Sequence, residues 1–211
     1  MRLLRIALFG LAFLAAAATA PATWAAGSPR DVIDSLHAVL LKTLQSGKGP
    51  IQARYDLLAP ELGRIYDFRR MIEVATGASW ATADDTQRDQ LTKAFARLST
   101  MIYADRFGGG YSGEKFEITG DRQGPRDTVL VDTLIHRGEA TPLQPGETPT
   151  VAVTYVLSQR DGEWRIVDVL LDRSISELAV RRSDYASILR DGGVDQLIKV
   201  LNEKADKLAH P

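Results

Sequence analysis

Few residues in this chain have types and spacings that could do chemistry. Asp132 and His136 lie four residues apart on one face of an alternating segment. That is about 13 Å at the rise of an extended strand, too far for a direct dyad. Asp168 stands in a later segment of the same kind and could approach either of them if the strands pair. A buried Asp on an apolar α+β scaffold can serve as acid or base; the plainer reading puts all three at strand ends or facing solvent. The three histidines, His37, His136 and His210, form no pair at ligand spacing, which disfavours a metal site. Cysteine is absent, which removes disulfides, thiolate ligands and Cys nucleophiles. The run from Gly108 to Lys115 invites a phosphate-loop reading, but Glu114 separates Gly113 from Lys115, and the order is helix to strand, the reverse of what that loop needs. Ser112 lacks a Gly-x-Ser-x-Gly elbow and a placed histidine. No catalytic group, metal or cofactor is assigned.

The scaffold is an ordinary globular chain. Of its 211 residues, 45% are hydrophobic and 25% charged. That predicts one domain, or at most two small ones, and excludes collagen, coiled-coil rods, polytopic membrane proteins and wholesale disorder. Arg2 and Arg5 precede an apolar run from Ile6 to Leu14, four alanines and small residues up to Ala26. This is the pattern of a secretory signal peptide over residues 1–26, cleaved after Ala22, Ala25 or Ala26. Its core falls short of the roughly 20 apolar residues a membrane span needs. The expectation is a single exported domain, residues 27–211, in a bacterial periplasm. Without Arg2 and Arg5 that domain carries 24 basic against 27 acidic residues, a net charge of −3. No basic excess remains to neutralise phosphates, so nucleic acid is disfavoured as a partner.

The periodicities then change once along the chain. Ser28-Pro29-Arg30-Asp31 reads as a helix start, and Val32, Ile33, Leu36, Val39, Leu40 and Leu44 recur at helical spacing up to Gly47. A second helix is predicted over 51–58, with Pro60 opening another short one, and a further helix from Asp67 to near Gly77. The longest should run over 84–107, with Leu91, Ala94, Phe95, Leu98, Met101 and Ile102 along one face. After Gly108-Gly109-Gly110 the pattern alternates: 115–119, 128–136, 150–159 and 164–171 read as strands. Asp161-Gly162 signals a hairpin turn, and Pro142, Pro145 and Pro149 mark a loop. Ser174 or Ser176 can cap, and Glu177 can favour, a helix over 176–190. Gly192-Gly193 separates it from a last helix over 194–208. Helices, then a meander, then helices make the class α+β.

The sheet carries apolar residues on both faces. Val151, Val153, Tyr155 and Leu157 share one face of the third strand, yet Ala152, Thr154 and Val156 on the other are not clearly polar. A sheet with one wet face should alternate more cleanly. Either helices and loops cover both sides, or a ligand cavity lies between sheet and helices.

Several blocks stand in a recognisable order: Asp67-Phe68, Gly77-Ala78-Ser79-Trp80, Tyr103-Ala104, Tyr111-Ser112-Gly113, Trp164-Arg165-Ile166-Val167-Asp168-Val169 and Ile188-Leu189-Arg190-Asp191-Gly192-Gly193. Together they resemble the MlaC/toluene-tolerance family of periplasmic lipid-binding proteins, over about residues 31–208. The segment from Ile175 to Tyr185 looks more like the hopanoid-associated HpnM branch than like phospholipid carriers. The resemblance implies a strongly curved antiparallel sheet of four or more strands, packed with about six or seven helices around an apolar pocket. It implies a carrier of hopanoid or phospholipid, without catalytic residues, between an inner-membrane transporter and an outer-membrane acceptor or donor. The expected lipid-binding residues are Ile72, Ile102, Tyr103, Phe116, Val131, Val151, Val153, Tyr155, Val169, Leu171, Leu178 and Tyr185. Two alternatives stay open: an enzyme on an apolar substrate using Asp132, Asp168 or His136, and a ligand-free docking subunit of a transporter.

Overall fold

The structure, a computed structural model, describes residues 27–138 and 148–210. The leader expected over 1–26, and Pro142 and Pro145 of the expected loop, lie outside the described residues.

Helix α1 (Pro29–Gln45) starts as the sequence predicts. Ser28 accepts from the Asp31 amide while the Asp31 carboxylate accepts from the Ser28 amide, so two otherwise orphaned donors are satisfied. Helix α2 (Ile51–Ile65) corrects one expectation: Pro60 lies inside it and opens no new helix. An interior proline costs about 3 kcal/mol, but Leu58 and Leu62, one turn apart, are both fully buried. Packing of that face holds the helix through the proline. Helix α3 (Phe68–Thr76) is capped by Asp67, whose carboxylate accepts from the Arg70 amide. A five-residue helix α4 (Ala78–Thr82), which no periodicity predicts, follows directly. Helix α5 (Asp85–Arg106) opens on an Asp84/Gln87 capping box. Its 22 residues span about 33 Å and bury Leu91, Ala94, Phe95, Leu98 and Met101.

Five strands follow: β1 (Lys115–Gln123), β2 (Val129–His136), β3 (Thr150–Arg160), β4 (Glu163–Leu171) and the short β5 (Ile175–Ser176). They pair antiparallel in sequence order. Asp161 and Gly162 both adopt positive φ, 53° and 83°, as the primed two-residue hairpin requires. β1 runs past the expected Thr119 by absorbing a register irregularity between Ile118 and Gly120. Such a bulge lets a strand continue beyond a residue that breaks its alternation.

Helix α6 (Glu177–Ala209) reads as one element, but Gly193 inside it sits at φ 67°, ψ −164°. That region is essentially open to glycine alone, so two helical halves meet there, as the glycine pair predicts. The described residues thus form six helices and a five-stranded antiparallel sheet. The expected strong curl of the sheet is not found: it is an open sheet whose outer strands are β1 and β5. Helices α1, α2, α3 and α6 pack on one sheet face and α5 packs against α2, α3 and α6; Leu36, Leu40, Leu62, Ile72, Leu91, Leu157, Ile166, Leu197 and Leu201 are fully buried in this core.

Candidate ligand-binding cavity

Between the covered sheet face and helices α3, α5 and α6 lies a cavity of about 470 Å³, within the range of small-molecule sites. Alternation along β3 points Val151, Val153 and Tyr155 into it, and β4 adds Val169 and Leu171. Helix α5 supplies Phe95, Ser99, Ile102, Tyr103 and Arg106, followed by Phe107; Glu177, Leu178 and Arg181 come from the first turns of α6. Tyr66, Phe68, Met71, Glu114, Ile135 and Arg137 complete the wall. Of the twelve residues expected from the sequence, Ile102, Tyr103, Val151, Val153, Tyr155, Val169, Leu171 and Leu178 are therefore brought together. The other four stand elsewhere. Ile72 and Val131 are fully buried in the core, Phe116 stacks on His37 with centroids 5.0 Å apart, and Tyr185 is buried on α6.

One wall is aromatic. Phe95 meets Phe68 edge-on at 6.0 Å, Phe68 stacks on Tyr66 at 5.4 Å, and Tyr66, Tyr103 and Phe107 continue the row at 6.0 Å spacings. The hydroxyls of Tyr66 and Tyr103 share a hydrogen bond of 2.5 Å. Burial pushes the Tyr103 phenol up to about 12 and that of Tyr66 well above its ordinary value; Tyr155 is raised likewise by burial. All three are neutral donors at physiological pH. Sequence pattern missed Tyr66 and Phe68 because they belong to the α2–α3 junction, where Tyr66 forms an isolated parallel bridge with Ile166. No 2- or 3.6-residue period marks such a place. Phe95 did stand on the apolar stripe of α5, and that stripe was a usable signal.

Charged groups also reach the cavity. Glu177 and Arg181 pair one helical turn apart at 3.7 Å. Burial alone would raise Glu114, but hydrogen bonds from the Ser112 hydroxyl and amide hold its carboxyl below the usual range.

The acid–base candidates do not line the cavity. Asp132 accepts from the Thr154 hydroxyl at 2.5 Å and pairs with Arg122. Asp168 accepts from the Ser176 hydroxyl at 2.6 Å and from the Val169 and Leu178 amides. His136 meets Glu117 at 2.9 Å on the exposed side of the sheet edge. Among the described residues no cluster of His, Asp or Glu could hold a metal ion, and no helix is long and apolar enough to cross a membrane.

An open antiparallel sheet, helices on one face and an aromatic-walled cavity between them define an α+β protein with a ligand-sized interior space. The family described as MlaC protein matches residues 30–203, and the chain belongs to that family. A phospholipid-binding protein from Ralstonia solanacearum, solved in complex with a phospholipid, has a similar fold. The TM-score is 0.70 at 20% identity, over 87% of this chain and 99% of that one. No curated protein matches.

Proposed function

We propose that this protein is a periplasmic lipid carrier that holds its cargo in the cavity beneath the sheet. The observation that carries the reading is the cavity itself: apolar strand residues on one side, a row of aromatic rings on the other, in a member of the MlaC family. The phospholipid held by the Ralstonia solanacearum protein of similar fold supports it. Moving a sixteen-carbon chain from a bilayer into water costs roughly 13 kcal/mol at about 0.8 kcal/mol per methylene. A lipid therefore crosses an aqueous compartment only if something shields it. A cavity walled by Val153, Val169, Leu178 and the aromatic row replaces bilayer with protein, so exchange becomes nearly isoenergetic. Direction then has to come from partners, an inner-membrane transporter and an outer-membrane acceptor or donor. The cargo is phospholipid or, if the likeness of residues 175–185 to the HpnM branch is decisive, hopanoid.

The acid–base reading gains no support from the geometry, since Asp132, Asp168 and His136 are engaged outside the cavity. Organic extraction of protein purified from its native host, followed by mass spectrometry, tests the proposal. Near-stoichiometric lipid is expected, and its mass identifies the class. Protein that emerges free of lipid, and takes none up from vesicles, would refute the carrier reading and favour a ligand-free docking subunit.

A further inference from the structure

The cavity is not uniformly apolar, and its polar atoms are unevenly used. Tyr66 and Tyr155 are 3% and 2% exposed, yet both line the open space. Tyr66 and Tyr103 spend one phenolic proton on their mutual bond, so the second proton of that pair has no protein acceptor among the described residues. The Tyr155 hydroxyl forms no hydrogen bond among the described residues either. The three residues line the same cavity, and the ionisation of Tyr66 and of Tyr155 is coupled to the neighbouring phenols. Two O–H donors thus stand on residues that line a cavity whose sheet side, Val151, Val153, Val169 and Leu171, is hydrocarbon, its charged groups being Arg106, Glu114, Arg137, Glu177 and Arg181. Water can satisfy them while the cavity is empty. A purely hydrocarbon ligand would displace that water and leave both donors buried and unpaired, the costly half of hydrogen-bond energetics. A ligand with an acceptor at that depth repairs the loss.

We infer that the phenols of Tyr155 and of the Tyr66–Tyr103 pair form an internal polar subsite that selects lipids carrying an uncharged oxygen within their apolar body. This rests on the carrier reading and adds to it the chemistry of the cargo. The oxygen is either the ester carbonyl of a diacyl lipid or the hydroxyl of a polycyclic one; both accept a hydrogen bond and neither brings a charge into the cavity.

The test uses delipidated full mature chain and two matched competitions. One offers ester-linked dipalmitoyl phosphatidylcholine against its ether-linked analogue, which lacks the carbonyls. The other offers a triterpene alcohol against the corresponding hydrocarbon. Bound lipid is quantified by extraction and mass spectrometry. Wild type should favour the oxygenated member of one pair by about 5- to 100-fold. Tyr155→Phe should reduce that preference severalfold, and Tyr103→Phe should do the same, while the oxygen-free partner still loads. A preference in the first pair assigns the carbonyl as the source, and one in the second assigns the ring hydroxyl. Tyr155→Phe breaks no hydrogen bond among the described residues, so it carries the test if Tyr103→Phe proves unstable. Equal loading within both pairs, or a preference unchanged in Tyr155→Phe, overturns the subsite and leaves the carrier intact. Failure to load any of the four lipids overturns both.

Discussion

Val153→Arg separates a cavity from a solid core. Val153 is 4% exposed at mid-strand; its partners across the ladder are Thr133, fully buried, and Leu171. The Thr133 hydroxyl also donates to the Val153 carbonyl, so the backbone there is held whatever side chain it carries. In a packed interior, a guanidinium at this position would be an unpaired buried charge. That costs several kcal/mol, comparable with the 5–15 kcal/mol that holds a whole domain, and the variant would unfold. Here the side chain projects into about 470 Å³ shared with Glu114 and Glu177. Its stem can lie along the strand residues while the head reaches a carboxylate or water, as arginines do when they snorkel. The remaining cost is mainly lost valine packing, about 1–3 kcal/mol. Urea titration should give a folded variant with a native-like circular dichroism spectrum, and extraction should show little or no lipid. Unfolding without denaturant would mean that β3 is core here. A folded variant with its full complement of lipid would mean that this face does not form the binding site.

His37 is buried with its Nε2 unpartnered, and burial lowers it to about 4, only partly offset by Asp34. The unfolded chain therefore binds the proton first, so stability should be full above about pH 6.5 and fall by up to roughly 3 kcal/mol as the pH drops towards 4. Denaturation at pH 7.5 and 4.5 should show a smaller loss in His37→Phe than in wild type. Gly193→Ala places a Cβ at φ 67°, ψ −164° and should cost about 1–3 kcal/mol without altering bound lipid if the kink only joins two helices; an unchanged melting temperature would contradict the strain. Arg54 donates to the Ala104 and Gly49 carbonyls, so Arg54→Ala should destabilise by about 1–3 kcal/mol, and an unchanged urea midpoint would refute that role. Gly108→Ala should be felt as well, because its Cβ would meet the Arg54 guanidinium at 2.5 Å.

What could be read from the sequence was whatever repeats with a period. The stripe of α5, the alternation of β3 and β4, the Asp161-Gly162 turn and the break at Gly193 are local patterns with local causes, and each sits where expected. Six of the eight cavity residues, Ile102, Val151, Val153, Tyr155, Val169 and Leu171, stand on those same patterns, because a strand face or a helix stripe is shared by all its members, while Tyr103 and Leu178 came with the family resemblance. Pro60 was misread since propensity knows nothing of Leu58 and Leu62 packing around it. Tyr66, Phe68 and the Arg54 contacts stayed invisible for a related reason. They join segments 37 to 100 residues apart, as with Tyr66 to Tyr103, Arg54 to Ala104 and Tyr66 to Ile166, and no period encodes such a meeting.

Asp168 shows how a residue with apparent chemistry can serve a binding site without entering it. By type and strand position it invited an acid–base role; by neighbourhood, Ser176 and Glu177 suggested a helix start. The structure joins the two observations. The Asp168 carboxylate on β4 accepts from the Ser176 hydroxyl and the Leu178 amide, while the Ser176 hydroxyl accepts from the Ala179 amide. Of the orphaned donors at the start of α6, the Leu178 amide is thereby satisfied by Asp168 and the Ala179 amide by Ser176, whose hydroxyl Asp168 holds. The first turns of α6 deliver Glu177, Leu178 and Arg181 to the cavity, so their position depends on that anchor. Charge on Asp168 strengthens each bond it accepts and favours a helix N-terminus. It does so from a carboxylate whose partners are all protein donors, which leaves it poorly placed to exchange a proton with a ligand. Asp168→Asn should accordingly loosen the cavity wall and cost about 1–2 kcal/mol of stability, read as a lowered urea midpoint with lipid still bound. Normal stability with lipid binding abolished would reverse that assignment and return Asp168 to the binding site.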